Sequence, residues 1–232
     1  MNVLIIGDSQ AAGPSVKDPT TSAALERANI GPWLEYFLEQ RGATVKRVGK
    51  PGYSTKKLVG VAKDLGLTDQ PWAVVYWLSG GNDTLNREAY REAMNLWGES
   101  PVVALSLPPA TLIGNKELGK KVFGIKESSY SPAHFFPKTA AAREEKNKAY
   151  KQVAQEAAKV GVDVVYKDMR LFELPDAVEQ PSGVVFPVQR DGIHVEGITA
   201  REIAEQVLTP STNWAGYLLG GAAVGLLLKR LI

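Results

Sequence analysis

Five short apolar runs constrain the chain most: Val3–Ile6, Val45–Val48, Ala73–Leu78, Val102–Leu105 and Val162–Tyr166. Most are unbroken and rich in Val and Ile, the pattern of strands buried on both faces of a parallel sheet. Val45–Val48 carries Lys46 and Arg47, which places it at an edge. Helical patterns lie between the runs. Pro32–Arg41 spaces Trp33, Tyr36 and Phe37 as a helix does and ends at Gly42. Asn86–Trp97 ends at Gly98, and Ala140–Val160 ends at Gly161. A glycine after each helix fits a C-terminal cap. The alternation predicts βαβ units and an α/β, doubly wound sheet of about five strands. "TAREIAEQVL", residues 199–208, is the helix that finishes the domain.

The length, 232 residues, fits one large α/β domain or two small ones and buries a core without a disulfide or metal staple. A net charge of +2 gives no footprint for nucleic acid. Lys116, Lys120, Lys121 and Lys126 cluster, but Glu117 and Glu127 dilute them, as in a solvated loop. The absence of cysteine excludes a thiol nucleophile, thiolate metal sites and disulfides. "VLII" is too short for the core of a signal peptide, so the N-terminus reads as a first strand.

One stretch breaks the rhythm. From Ser106 to Lys138 the chain holds four prolines and three glycines, and 108–137 is expected to form a long loop over the sheet edge where α/β proteins bind ligands. Tyr130, His134, Phe135 and Phe136 make it aromatic. A lid or binding loop and a surface excursion packing its own aromatics both fit.

Four polar stretches carry the chemistry. "IIGDSQAAG" (5–13) puts Ser9 in a tight turn after the first strand, with free N–H groups of a following helix near its hydroxyl. "GKPGYST" (49–55) follows the second strand, and Gly52 lets the backbone approach a ligand and present its N–H. "SGGND" (79–83) follows the third strand and carries the Asn82 amide. "DGIH" (191–194) sets Asp191 three residues before His194, within reach of its Nδ1. Each alone is an ordinary turn. Together they offer a nucleophile, a base with its orienter, and oxyanion donors, the parts of serine acyl transfer.

This set resembles the SGNH, or GDSL-type, hydrolases, through "GDS" at 7–9, Gly52, "GGND" at 80–83 and "DGIH" at 191–194, in the family's order. The resemblance implies a flavodoxin-like three-layer α/β/α fold and ester hydrolysis without metal or cofactor. It implies Ser9 as nucleophile, His194 as base, Asp191 as its orienter, and the Ser9 and Gly52 N–H groups with the Asn82 amide as oxyanion hole. Asp8, Gln10, Tyr53 and His134 are candidates for substrate contact. His134 has no carboxylate beside it in sequence, so a lid or aromatic-cluster role fits it better than that of base. Two departures leave substrate choice open: Gln10 stands where many members carry an apolar residue, and 108–137 is long. The expected substrate is an acetyl or other short acyl ester on a carbohydrate or cell-envelope molecule. A rival is a membrane-anchored structural or attachment protein that keeps the fold for binding only.

The domain is expected to span 1–209, with Pro210-Ser211-Thr212 as linker and 213–232 as a hydrophobic tail. Trp214 to Leu228 are uncharged, before Lys229-Arg230. A helix of that length spans about 22 Å, or about 28 Å through Ile232 with the basic pair snorkelling, against a bilayer core of roughly 30 Å. Gly216/Gly220 and Gly221/Gly225 permit close helix contact, and Trp214 and Tyr217 suit an interface. The expectation is a membrane anchor or self-associating helix, holding the domain at the cytoplasmic face of a membrane or in a virus particle. A final helix docked on the domain is the alternative.

Overall fold

The computed structural model describes residues 1–108, 132–169, 177–179, 185–187, 195 and 197–209, with side chains described for 1–108, 141–169, 195 and 197–209. The expected strands are present as β1 (Asn2–Gly7), β2 (Thr44–Gly49), β3 (Val74–Leu78), β4 (Val102–Leu105) and β5 (Val164–Lys167). They form one sheet in the order β2-β1-β3-β4-β5, with every neighbouring pair parallel. β2 is an edge strand, and its outward residues Thr44 and Lys46 are exposed.

The helices are α1 (Ser22–Arg27), α2 (Ile30–Gln40), α3 (Thr55–Asp64), α4 (Arg87–Asn95), α5 (Pro132–Lys159) and α6 (Gly197–Leu208). They cover both faces. Successive residues of a strand point to opposite sides, so Val3 and Ile5 join the cluster under α1, α2 and α6, while Leu4 and Ile6 join the one under α3, α4 and α5. This is the three-layer α/β/α arrangement. Gly42, Gly98 and Gly161 all adopt positive φ after α2, α4 and α5, as their capping role requires.

The structure departs from the sequence expectation in places. α5 starts at Pro132, eight residues before the expected Ala140, so His134 falls in its first turns. The periodic apolar signal fades before residue 140, which hides this end. α1 and α3 were not expected; α1 is only six residues, and α3 is dominated by lysines and small residues. An antiparallel pair, β6 (Ala177–Glu179) and β7 (Val185–Pro187), is too short to leave a pattern. Residues 109–131 of the expected loop, and the expected linker and tail at 210–232, lie outside the described residues. Among the described residues no helix is long and apolar enough to cross a membrane.

The chain leaves β1 for β2 in one direction and reaches β3 in the other. That reversal opens a crevice beyond the carboxyl ends of β1 and β3, where sheets of this order place their ligands.

Candidate active site

The first three strands end level with one another. Gly7 of β1 stands opposite Gly49 of β2 and Leu78 of β3. The ladder runs one step further, from Asp8 N–H to the Leu78 carbonyl at 2.9 Å and from Lys50 N–H to the Gly7 carbonyl at 2.9 Å. The turns that hold Ser9, Gly52 and Asn82 therefore open side by side on one edge. Neighbouring strands lie only about 4.8 Å apart.

In place of the helix expected after Ser9 there is a single 3-10 turn, Ser9–Ala11, and the next helix starts only at Ser22; Ser9 is half-buried. The buried Asp8 caps this turn by accepting the Gln10 N–H at 3.0 Å. Asn29 Nδ2 holds the Ser9 carbonyl at 2.9 Å and the Ala12 carbonyl at 3.2 Å. Arg47, paired with Glu35 at 2.9 Å, donates to the carbonyls of Ala11 at 2.8 Å and Gly13 at 2.9 Å. Three glycines let the turn seat closely. A Cβ on Gly7 would strike the Leu78 carbonyl, one on Gly49 the Ala12 backbone, and one on Gly31 the Ala11 Cα at 2.6 Å. The nucleophile candidate is thus preorganised by backbone contacts before any substrate arrives.

Gly52 adopts a φ of +76° in an exposed turn, a conformation costly for other residues. Asn82 is exposed on the neighbouring turn, and its Nδ2 donates to the Tyr53 carbonyl at 3.3 Å. One hydrogen bond leaves its second N–H for a ligand. Tyr53 itself is exposed, with Lys57 Nζ 5.6 Å from its ring centre.

A buried carboxylate joins these two turns. Asp83 accepts the Thr55 N–H at 2.7 Å, the Thr55 hydroxyl, and the Tyr150 hydroxyl at 2.9 Å. The first bond satisfies an otherwise open donor at the start of α3, where negative charge is favoured. Ser79 Oγ completes the set at 2.9 Å from Thr55 Oγ1. Tyr150 stacks on Tyr90 with ring centres 4.0 Å apart, and a Cβ on Gly80 would meet the Tyr150 ring at 2.6 Å. Burial and the facing Asp83 push both tyrosine hydroxyls well above the usual phenol range, so both stay protonated and Tyr150 stays a donor to Asp83.

Gln10 is buried and lines a cavity of about 10 Å³ beneath the crevice, together with Asp8, Ser79, Ser106 and Met169. That is the lower limit for one water molecule, and Gln10 Oε1 has no hydrogen-bond partner among the described residues. Asp8 and Gln10 are thus placed behind the turn, while Tyr53 faces solvent. His134 lies in α5, with its side chain outside the described residues. Asp191 and His194 lie wholly outside the described residues. Their neighbourhood is partly visible: Val195 is fully buried in the core under α1, α2 and α6, and Gly197 N–H donates to the Ala28 carbonyl at 2.8 Å. Among the described residues no group of His, Cys, Asp and Glu is arranged to hold a metal ion.

No family profile and no curated protein matches the chain. Solved structures do. A family 3 carbohydrate esterase from Clostridium thermocellum is similar at TM-score 0.54 and 15% identity, over 95% of this chain and 98% of its own. A lipolytic protein of the G-D-S-L family from Veillonella parvula follows at TM-score 0.55 and 14% identity, over 89% and 96%. The chain has the GDSL/SGNH hydrolase fold. An acetylxylan esterase from Geobacillus stearothermophilus is similar too, at TM-score 0.53 and 13% identity, over 89% and 92%.

On this GDSL/SGNH frame the sequence pointed to the residues at the turn tips and missed those behind them. Asn29 stands at the N-cap of α2, three residues before the expected Pro32, yet its side chain makes no cap bond and serves the Ser9 turn instead. Asp83 and Thr55 sit inside the quoted motifs but 28 residues apart, and only the fold joins them.

Proposed function

We propose that the protein is a serine ester hydrolase, with Ser9 as nucleophile, His194 as base and Asp191 as its orienter. The observation that carries this is the level ending of β1, β2 and β3, which opens the turns of Ser9, Gly52 and Asn82 on one edge. The return of the chain supports the base. His194 precedes Gly197 by three residues, a tether of about 11 Å at full stretch. Gly197 is bonded to Ala28, and the next residue, Asn29, holds the Ser9 carbonyl.

In this mechanism the Ser9 Oγ–H gives its proton to the imidazole as Oγ attacks the ester carbonyl carbon. The oxyanion that forms takes N–H donors from Ser9, Gly52 and Asn82. Collapse breaks the bond to the leaving oxygen, which receives the imidazole's proton. Water then repeats the sequence on the acyl-serine, releasing the acid and restoring Ser9. Esterase names among the solved structures of this fold, two of them for carbohydrate esters, support an acyl group on a carbohydrate. Exposed Tyr53 beside Asn82 supplies a flat apolar face of the kind sugar rings stack on.

The test is labelling of the full chain by a serine-reactive fluorophosphonate, with turnover of a short-chain nitrophenyl ester. Ser9→Ala abolishes both and keeps the circular-dichroism spectrum. Asn82→Ala lowers turnover by about 10²–10³-fold. Labelling that survives Ser9→Ala, or a wild type inert toward every ester, leaves the binding-only alternative. For residues 213–232 we propose a membrane anchor that also self-associates. Full chain and a version ending at Leu208 are compared in membrane fractions, and equal partitioning overturns it.

A further inference from the structure

Lys146, on α5, is half-buried against the third turn and makes one hydrogen bond among the described residues, from Nζ to the Gly81 carbonyl at 3.2 Å. It has no ion pair there. Taking an ammonium out of water is costly in proportion to its burial unless an anion or hydrogen-bond acceptor compensates it. Burial pulls its ammonium below the usual lysine range, with Arg143 adding to this and Asp83 and Asp8 opposing. Neither carboxylate bonds to it. Asp83 is engaged by Thr55 and Tyr150, and Asp8 by the Gln10 N–H.

Its position is the informative part. Gly81 precedes Asn82, and a Cβ on Gly81 would lie 3.3 Å from Asp8 Oδ2, one residue before Ser9. The ammonium therefore stands where the nucleophile turn and the Asn82 turn meet. An ammonium has three N–H donors, and one is engaged. Across Asn82, the rim is formed by exposed Tyr53 and Lys57.

We propose that Lys146 is a specificity residue that receives a carboxylate or phosphate carried by the substrate beside the scissile ester. The substrate is then an acylated acidic carbohydrate rather than a neutral one. This rests on the esterase reading above. It adds a charge preference that reading does not contain.

The experiment compares matched substrates on the full chain: an acetylated oligogalacturonate against the same oligosaccharide with its carboxylates converted to amides, and acetylated glucose 6-phosphate against acetylated glucose. The expected kcat/KM is about tenfold or more higher for the charged member of at least one pair, a difference one partly desolvated charge pair supplies. The pair that shows it tells carboxylate from phosphate. Lys146→Gln collapses the ratio toward one, and Lys146→Arg recovers much of it. A lysine that only steadied the Gly81 carbonyl would slow both members alike and leave the ratio unchanged. Equal turnover of both members by wild type, or an unchanged ratio in Lys146→Gln, overturns the proposal. If no ester is turned over, the esterase reading fails by itself. Binding of the deacetylated charged and amidated oligosaccharides, and of glucose 6-phosphate and glucose, followed by NMR in wild type and Lys146→Gln, then decides the charge preference. A Lys146-dependent preference for a charged member supports it, and equal binding overturns it.

Discussion

Asn29 Nδ2 donates to the Ser9 carbonyl at 2.9 Å, bridging 20 residues of sequence. At a helix start, an asparagine usually accepts an N–H of its own first turn. Here that cap is absent, and the side chain locks the Ser9 turn instead. Local stability is given up where the site needs rigidity.

Asn29→Ala is therefore expected to lower kcat more than it raises KM, because the turn loses its tether without losing a substrate contact. The stability cost is about 1–2 kcal/mol, that of a hydrogen bond leaving carbonyls unmet. Steady-state kinetics beside urea unfolding checks this. A KM effect with kcat unchanged would contradict it.

Gly49→Ala tests the close seat of the same turn. Its Cβ would lie 2.5 Å from the Ala12 N, and the obstacle is backbone. Either β2 or the Ser9 turn has to shift. The expected loss is about 1–3 kcal/mol of stability, as for overpacking, together with a fall in turnover. Gly42→Ala is the control. It has open space around it but a φ of +79°, so it loses stability while turnover per folded molecule is kept.

Asp83 joins the start of α3 to the third turn through Thr55 and Tyr150. Asp83→Ala leaves a backbone N–H and two hydroxyls without an acceptor, at a cost of about 3–5 kcal/mol, as when one partner of a buried network is removed. Asp83→Asn retains one acceptor oxygen and costs less. Both lower turnover through Gly52 and Asn82, since the turns they sit on drift apart. Urea unfolding and ester kinetics on the two variants order them.

Lys167 gives a pH signature. It lies buried at the end of β5 and donates to the Val207 carbonyl and, at 3.3 Å, to that of Thr209, at the C-terminal end of α6. Burial pulls its pKa down to about 8, from 10.5. Between those values the unfolded chain binds a proton that the folded chain does not, so stability from this group rises with pH across that window. Above pH 10 the sign reverses. Burial raises the pKa of Tyr76, Tyr90 and Tyr150, so the folded chain keeps protons that the unfolded chain releases. Unfolding free energies at pH 7.5 and 9.5 are expected to differ in favour of 9.5 by on the order of 1 kcal/mol more in wild type than in Lys167→Met.

By itself the sequence determined the sheet and the turn tips. The apolar runs of β1, β3 and β4 admit burial on both faces and nothing else, Lys46 and Arg47 mark β2 as an edge, and glycine-rich polar stretches after the first three strands announce Ser9, Gly52 and Asn82. These are local signals, written in neighbouring residues. The tertiary structure alone decided what stands behind those tips. Asn29, Arg47, Asp83 and Lys146 reach Ser9, Ala11, Thr55 and Gly81, from 20 to 65 positions away. In sequence Asn29 carries no signal, and the other three are a strand charge, a turn aspartate and one lysine of a helix. A long-range hydrogen bond leaves no periodicity and no composition bias. It comes into being only when parallel strands end in register and bring distant turns to one edge.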